Sequence, residues 1–342
     1  MYKKAYGIIQ TLAPLHVGAT AGEESGNLNL IFRDQFTQTG ILPGSSIRGR
    51  FRSEMRPRRQ LWLEKELNTK NVDIPDPSER EIVEVLPNGK ENRLSRLNWL
   101  EKKAKELKIV PPQEIDENFW YGTAADSELS DTTTEAIVKF EYASLLWIPV
   151  FCPGQPIVWV SSPKLLKRYQ RIAGEYVTLK DGKKLKDIKP SEIDNLKYSG
   201  SEKLKISDVN GKKKLFFNFG FIELTKGKKD FSAWFPLGEP LPAVVVADDE
   251  IGMVHDMALY RQSRVRLMDD EKRVDGGGFF NTEALPEGTI MVFPIAIAIR
   301  NTVNQSWKPF SNGCETSEMY LGGLESIGFG NCEIKLENIA LN

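Results

Sequence analysis

The stretch LPGSSIRGRFR, residues 42–52, decides the fold expected for this chain. Its Pro-Gly pair predicts a turn, and Ser45 or Ser46 can N-cap a helix that begins at Ile47. Apolar residues recur at intervals of four within that helix, at Ile47, Phe51 and Met55. This spacing places them on one side of a helix, so we predict that the side is buried in the core.

The same helix start is rich in arginine. Six arginines lie between residues 48 and 59, and Glu54 is the only acidic residue among them. The first backbone N–H groups of a helix have no partner inside it and carry a partial positive charge, so they attract anions. The pattern predicts a phosphate cradle formed by Ser45, Ser46, Arg48, Arg50 and Arg52. The competing interpretation is a helix that binds no phosphate.

The whole chain is nearly neutral, with 46 Lys and Arg residues against 47 Asp and Glu residues in 342. This balance excludes a globally basic nucleic-acid-binding protein, but it permits one basic face. Residues 180–214 contain eleven lysines and six acidic residues. They form either part of such a face or a solvated loop.

Several functional classes lack support in the sequence. No apolar run reaches the ~20 residues needed to cross a bilayer, so no membrane association is expected. Cys152, Cys314 and Cys332 lack the spacing of zinc sites or disulfide frameworks, which favours a reducing, cytoplasmic setting. His16 and His255 are the only histidines, and no common hydrolase, kinase or dinucleotide-binding motif is present.

The pattern along the chain predicts an α+β fold, because strands alternate with helices and no repeat is present. The predicted strands are 2–17, 134–151, 156–161, 215–224, 243–249, 289–299 and a last strand after the glycine-rich stretch 322–330. Besides the helix at 47, the predicted helices are 60–67, 94–108, 163–172 and 250–260, the last with Ile251, Val254, Met257 and Ala258 on one side. Residues 57–118 read as an insertion.

Four landmarks together resemble the RAMP superfamily of CRISPR proteins. They are Leu15-His16-Val17-Gly18, LPGSSIRGRFR (42–52), FWYG (119–122) and GGLESIGFG (322–330). Three further segments resemble the backbone subunit of the Cmr, or type III-B, RNA-targeting effector complex: residues 138–169, 260–267 and 276–286. The resemblance runs from about residue 6 to 334 and is poor at 57–118 and 174–214.

The resemblance implies a single RAMP domain over 1–342, with a ferredoxin-like (RRM-like) core, a helical insertion at 57–118 and a thumb-like β-hairpin at 174–214. It implies a subunit that stacks as a filament along a CRISPR guide RNA and positions complementary target RNA for cleavage in antiviral defence. The implied partners are both RNAs, copies of this chain and other Cmr-type subunits. The implied RNA-binding residues are Ser45, Ser46, Arg48, Arg50, Arg52, Lys212, Lys213, Gly322, Gly323, Gly328 and Gly330.

The resemblance leaves catalysis open. The family's catalytic loop aspartate would stand six or seven residues before Arg33-Asp34, where this chain has Asn27 and Leu28. An amide cannot replace a carboxylate as a base or supply negative charge to a metal.

Two alternatives follow. The chain is a binding subunit, or it is an endoribonuclease that uses Glu23 and Glu24 to hold Mg²⁺ or another divalent metal, or His16 as an acid/base group. The competing interpretations are solvated glutamates and an imidazole bonded to backbone. We expect Asp34 and His255 to be structural. A guide-processing RAMP nuclease is disfavoured, because no second RAMP signature is present.

Overall fold

The computed structural model describes residues 1–18, 28–79, 81–85, 91–123, 133–218, 220–238, 240–267, 274–299, 307–311 and 313–339. The strands are β1 Tyr2–Thr11, β2 Leu28–Asn29, β3 Ile41–Leu42, β4 Glu81–Val85, β5 Glu91–Ser95, β6 Val138–Phe140, β7 Ala143–Phe151, β8 Ile157–Ser161, β9 Gly200–Ser201, β10 Ser207–Val209, β11 Lys212–Phe217, β12 Gly220–Glu223, β13 Lys228–Lys229, β14 Ala243–Val245, β15 Tyr260–Leu267, β16 Val274–Ala284, β17 Ile290–Ala298, β18 Thr316–Tyr320 and β19 Asn331–Glu337. The α-helices are α1 Gly44–Thr69, α2 Arg96–Glu106, α3 Glu117–Tyr121, α4 Pro163–Ala173, α5 Pro190–Asp194 and α6 Ile251–Ala258. Short 3₁₀ turns lie at Gln113–Ile115, Leu185–Asp187, Ser232–Trp234 and Glu325–Ile327.

A large mixed sheet organises the chain, in the order β13-β9-β14-β8-β7-β17-β1-β19-β18, with β3 on β7 and β6 on β17. Alternate residues of a strand point to opposite sides of the sheet, and in β1 the residues on both sides are buried. Ala5 and Ile9 belong to the core that includes the buried side of α1, whereas Tyr6 and Ile8 belong to the core that includes α4. The α+β prediction is therefore confirmed.

Helix α1 begins three residues earlier than predicted. Pro43 occupies the N-cap position and no side chain caps the helix, so the prediction of a serine cap is wrong. The first amides use the Pro43 carbonyl instead: those of Ser46 and Ile47 lie 3.0 and 3.2 Å from it. Gly44 permits this start, because a Cβ there would stand 2.4 Å from the Phe140 carbonyl oxygen. The predicted apolar stripe is fully buried, at Ile47, Phe51 and Met55.

The 57–118 segment contains more than the predicted helices. Helix α1 runs through to Thr69, α2 lies within the predicted 94–108 range, and β4 and β5 pair as an antiparallel hairpin that was not predicted. These parts share a small core of their own, which contains Leu63, Leu67, Ile82, Trp99, Leu100 and Ala104.

Two further predictions of local structure are wrong. The predicted single strand 215–224 is a hairpin, since β11 and β12 pair with Phe217 opposite Gly220. It belongs to the three-stranded sheet β10-β11-β12, which extends beyond the predicted thumb range 174–214. In α6 the buried residues are Ile251, Val254 and His255, whereas Met257 is exposed. Among the described residues, no helix is both long and apolar enough to cross a membrane.

Candidate functional site

An open cleft lies between the first turns of α1 and the loop that follows β18. Its volume is about 390 Å³. We call it the cleft and define it by its lining residues: Val17, Gly18, Phe32, Ser46, Gly49, Arg50, Ser53, Tyr320, Leu321, Gly322, Gly323 and Glu325. Helix α1 contributes every third or fourth residue, which is one side of a helix.

The glycines around the cleft fall into two groups, and the first group is required by the fold. Gly322 and Gly330 have φ angles of 75° and 86°, and a Cβ on either would stand 2.2 Å from a backbone oxygen. Gly328 has φ of 90° and ends the 3₁₀ turn Glu325–Ile327. L-residues rarely adopt such angles, so these glycines shape the loop.

The second group has no such requirement. Gly49 lies inside α1, and a Cβ there would meet nothing within 4 Å. Gly323 has no left-handed backbone, and the nearest atom to its Cβ would be His16 Cδ2 at 4.0 Å. A glycine inside a helix costs about 0.5–1 kcal/mol relative to alanine. Packing within the chain does not require glycine at either position. A ligand that approaches the backbone would account for both glycines.

Among the described residues that line the cleft, Arg50 is the only one with a positively charged side chain. Its guanidinium lies 2.6 Å from Glu54 and 3.8 Å from Glu325, and it is 27% exposed. Its Nε is buried and has no hydrogen-bond partner. Both carboxylates are more exposed than the arginine, and exposed ion pairs contribute little. A phosphate could therefore replace either partner at small cost.

Arg48 and Arg52 lie on a different side of α1. Arg48 donates to the Tyr121 carbonyl through Nε, at 2.9 Å, and through a terminal nitrogen. Arg52 donates to the Gly122 carbonyl at 2.7 Å and to Asn118 Oδ1 at 2.6 Å. These two guanidinium groups thus fasten α3 and the glycine after it to α1. Their predicted role in RNA binding stays a prediction, and neither lines the cleft.

Arg59 continues this side of α1. Its guanidinium donates to Glu117 at 2.9 Å, where the two side chains are 8% and 1% exposed, and it also lies 2.8 Å from Glu101. Burial raises the pKa of Glu117, and the charge of Arg59 opposes that rise. The pair is a buried link between α1 and α3.

His16 lies at the edge of the cleft, where its backbone carbonyl accepts from the Gly323 amide at 2.9 Å. Its Nδ1 lies 2.7 Å from the Glu283 carbonyl oxygen. A carbonyl only accepts, so Nδ1 carries the proton. The imidazole is thus bonded to backbone, as one of the two interpretations expected. The buried Glu283 side chain is held by Arg33 and Arg261, each at 3.0 Å.

The structural roles predicted for Asp34 and His255 are confirmed. Asp34 Oδ1 accepts from the amides of Phe36 and Thr37 at 3.0 and 2.8 Å and so closes a turn. His255 is fully buried and its Nε2 accepts from the Gly40 amide at 2.9 Å. Burial lowers the pKa of His255 to about 3, so the ring is neutral at ordinary pH.

The remaining predicted residues lie elsewhere. Glu23, Glu24 and Asn27 fall outside the described residues, so the predicted metal ligands are untested. Lys212 and Lys213 are exposed on β11 and do not line the cleft. Ser45 is exposed beside the cleft, and Ser46 is in its lining. In the described parts of the chain, no group of three or more His, Cys, Asp or Glu side chains could hold a metal ion.

Gly49, Phe32 and Tyr320 also line the cleft and were not predicted from the sequence. A signal existed for Gly49, because an isolated glycine inside a helical pattern calls for a packing or functional reason. The two aromatic residues gave no local signal, since only the tertiary fold brings them to α1.

Comparisons with known proteins agree with this architecture. A family model described as the RAMP superfamily matches residues 8–333. The chain is similar to a Type III-B Cmr-beta structure in the apo state, at 17% identity and a TM-score of 0.56, with 98% of each chain covered. It is similar to Cmr-beta bound to cognate target RNA, at 18% identity and a TM-score of 0.56, covering 98% of this chain and 97% of that one.

A third similar structure is oligomeric Cmr4 from Pyrococcus furiosus, at 15% identity and a TM-score of 0.52, covering 99% of this chain and 100% of that one. No match was found among curated proteins. At these identities the structural similarities show a shared fold.

Proposed function

This chain belongs to the RAMP superfamily, and on that premise we propose that it is a guide-RNA-binding backbone subunit of a type III-B CRISPR effector complex. In this role copies of the chain stack along the guide RNA and position complementary target RNA. The proposal includes a ferredoxin-like core and a thumb formed around the β10-β11-β12 sheet.

One observation carries the proposal: two glycines that the fold does not require face the same cleft. Gly49 and Gly323 leave open space where side chains would stand, and Arg50 lies beside them. A sugar-phosphate backbone suits such a site, since it can approach bare peptide groups and needs a cation. The similarity to Cmr-beta bound to cognate target RNA supports RNA as the ligand class.

The proposal is confined to binding. Glu23, Glu24 and Asn27 lie outside the described residues, and the imidazole of His16 already bonds a carbonyl through Nδ1. No observation favours the endoribonuclease alternative over the binding role.

The test is the affinity for single-stranded guide RNA, measured by fluorescence anisotropy over a range of salt concentrations. Gly49→Leu fills the open space and should weaken binding at least tenfold. Arg50→Ala should weaken binding and reduce the slope of log affinity against log salt by about 0.7, the value for one phosphate of a single strand.

Gly227→Leu is the matched control for the glycine variant. Gly227 also has open space around its Cβ position and no left-handed backbone, and it does not line the cleft. Affinity in this variant should equal that of the wild type. Wild-type affinity and salt slope in both Gly49→Leu and Arg50→Ala would refute the proposed cradle.

A further inference from the structure

A second cavity, of about 340 Å³, lies between α4 and the turn closed by Asp34. We call it the basic pocket and define it by the α4 cations that line it: Lys164, Lys167, Arg168 and Arg171. Their spacing of three and four residues puts all of them on one side of the helix. The proposed function does not use this pocket.

The positive charge of the basic pocket is only partly neutralised. Lys167 pairs with Asp194 at 2.6 Å, and Arg168 lies 4.0 Å from Glu141. Asp34 also lines the pocket, where its Oδ1 accepts from the turn amides and its negative charge acts on Lys164.

The other two cations are available to a ligand. Lys164 and Arg171 are exposed, and no ion pair joins either to another described residue. They stand at opposite ends of the row of cations on α4.

Two aromatic rings accompany these cations. Phe36 is 80% exposed, more than any other aromatic side chain of the described residues, and Lys164 Nζ lies 5.4 Å from its ring centre. Deeper in the pocket, the Arg168 guanidinium stacks 4.0 Å from the centre of the Tyr142 ring. That guanidinium is fixed by a 2.6 Å bond from Nε to Ser144 Oγ. The pocket therefore offers flat surfaces as well as positive charge.

We propose that the basic pocket binds a short stretch of single-stranded RNA, with one phosphate at Lys164, another at Arg171 and one base against Phe36. Stacking on aromatic rings beside a basic groove is how proteins hold single strands without reading sequence. An acidic protein segment would use the cations but not the exposed ring, so RNA fits the observations better. The proposal rests on the proposed function only in its choice of RNA as ligand.

The position of the pocket fits an RNA that also enters the cleft. Phe32 lines the cleft, and Asp34, two residues further along the chain, lines the basic pocket. Two residues of extended chain span about 7 Å. The linings of the two cavities are therefore about 7 Å apart at this point of the chain.

Photocrosslinking tests the contact directly. The full chain is irradiated with single-stranded RNA that carries 5-iodouridine, which couples to aromatic rings stacked on it, and is digested with trypsin. Cleavage after Arg33 and Arg48 puts Phe36 in the peptide 34–48, which contains no other aromatic residue, whereas Phe32 is in the preceding peptide. We expect a crosslink in 34–48 that disappears in Phe36→Leu and persists in Gly49→Leu.

Affinity measurements provide the second readout. Phe36→Ala should weaken the binding of an oligouridine of about ten nucleotides by fivefold to a hundredfold, the range for loss of one stacked base. Arg171→Gln should reduce the salt slope by about 0.7. Phe151→Ala and Lys105→Gln are the matched controls, since both residues are exposed and lie outside the pocket.

The outcomes separate this proposal from the proposed function. No crosslink in 34–48, together with wild-type affinity in Phe36→Ala and Arg171→Gln, would overturn the basic pocket even if the cleft variants lose binding. Loss of self-association in Arg171→Gln with unchanged RNA affinity would make the pocket a subunit contact and would also overturn it. Loss in the pocket variants alone would support the pocket and count against the cleft.

Discussion

The open side of α1, which faces the cleft, and its arginine side, which holds Arg48, Arg52 and Arg59, make different contacts. Toward the cleft, the helix presents Ser46, Gly49 and Arg50, which make few contacts with the rest of the chain. On another side, Arg48 and Arg59 bind backbone carbonyls and a buried carboxylate. The arginines at the start of α1 therefore cannot all be assigned the role of binding a ligand. Arginines with internal partners maintain the fold, and glycines without an internal reason mark the ligand side.

The largest expected effect on stability concerns the arginine side of α1. Arg59→Met leaves the buried Glu117 with only the more distant Arg56, at 3.9 Å, and breaking a buried pair in this way costs about 3–5 kcal/mol of unfolding free energy. Urea unfolding followed by circular dichroism measures the loss. Arg50→Met, on the open side, should change stability by less than about 1 kcal/mol.

A double variant sharpens this result. Arg59→Met combined with Glu117→Leu removes both charges and should recover much of the lost stability, because the buried carboxylate is gone. If Arg59→Met is as stable as the wild type, the distinction between the two sides of α1 fails.

The next effect concerns the buried imidazole of His255, which packs against the Gly40 amide. The pKa of His255 is about 3 in the folded chain and about 6.5 when unfolded. Between these values the unfolded chain binds the extra proton, so stability falls as the pH falls, by about 1.4 kcal/mol per pH unit from this group. Arg33 and Arg261 favour the neutral ring and Asp256 opposes them, all with smaller effects than burial.

The measurement is unfolding free energy between pH 6 and pH 4 for wild type and His255→Gln. Glutamine can still accept from the Gly40 amide but does not titrate. Its curve should be shallower than that of the wild type. Equal slopes would mean that the imidazole is not protected from protons, contrary to its full burial in the structure.

The smallest effect has the opposite sign and concerns the open side. Gly49→Ala should raise the unfolding free energy by about 0.5–1 kcal/mol, because alanine favours a helix and its Cβ meets no other atom. Affinity for single-stranded RNA should fall at the same time. Gly44→Ala, in the same helix, should instead destabilise the chain, since its Cβ would collide with the Phe140 carbonyl. A Gly49→Ala variant that gains stability and keeps full affinity would break the comparison.

Much of the fold was predictable because its signals are local. The apolar stripe of α1, the strands β8 and β17 and helix α4 all follow from short periodic patterns, and the structure places each within a few residues. The predicted strand 134–151 is divided into β6 and β7. The β4–β5 hairpin was missed, because weakly apolar strands become stable only when tertiary contacts cover them. The turn between β11 and β12 was missed because it lies inside the apolar run 215–224.

The candidate site was only partly predictable. The motif around Gly44 and the loop 322–330 indicated the two walls of the cleft, and the structure brings them together. The side of α1 that each arginine takes was not predictable, because Tyr121 and Gly122 accept from residues about 70 positions away.

The sequence by itself determined the family resemblance, the α+β class and the position of the arginine-rich helix start, since these rest on residue order and local periodicity. The tertiary structure alone decided which residues of that helix face the cleft. The physical reason is rotational: burial of Ile47 and Phe51 fixes α1 about its axis, and that angle sends Arg48 to a carbonyl and Gly49 and Arg50 to the open side.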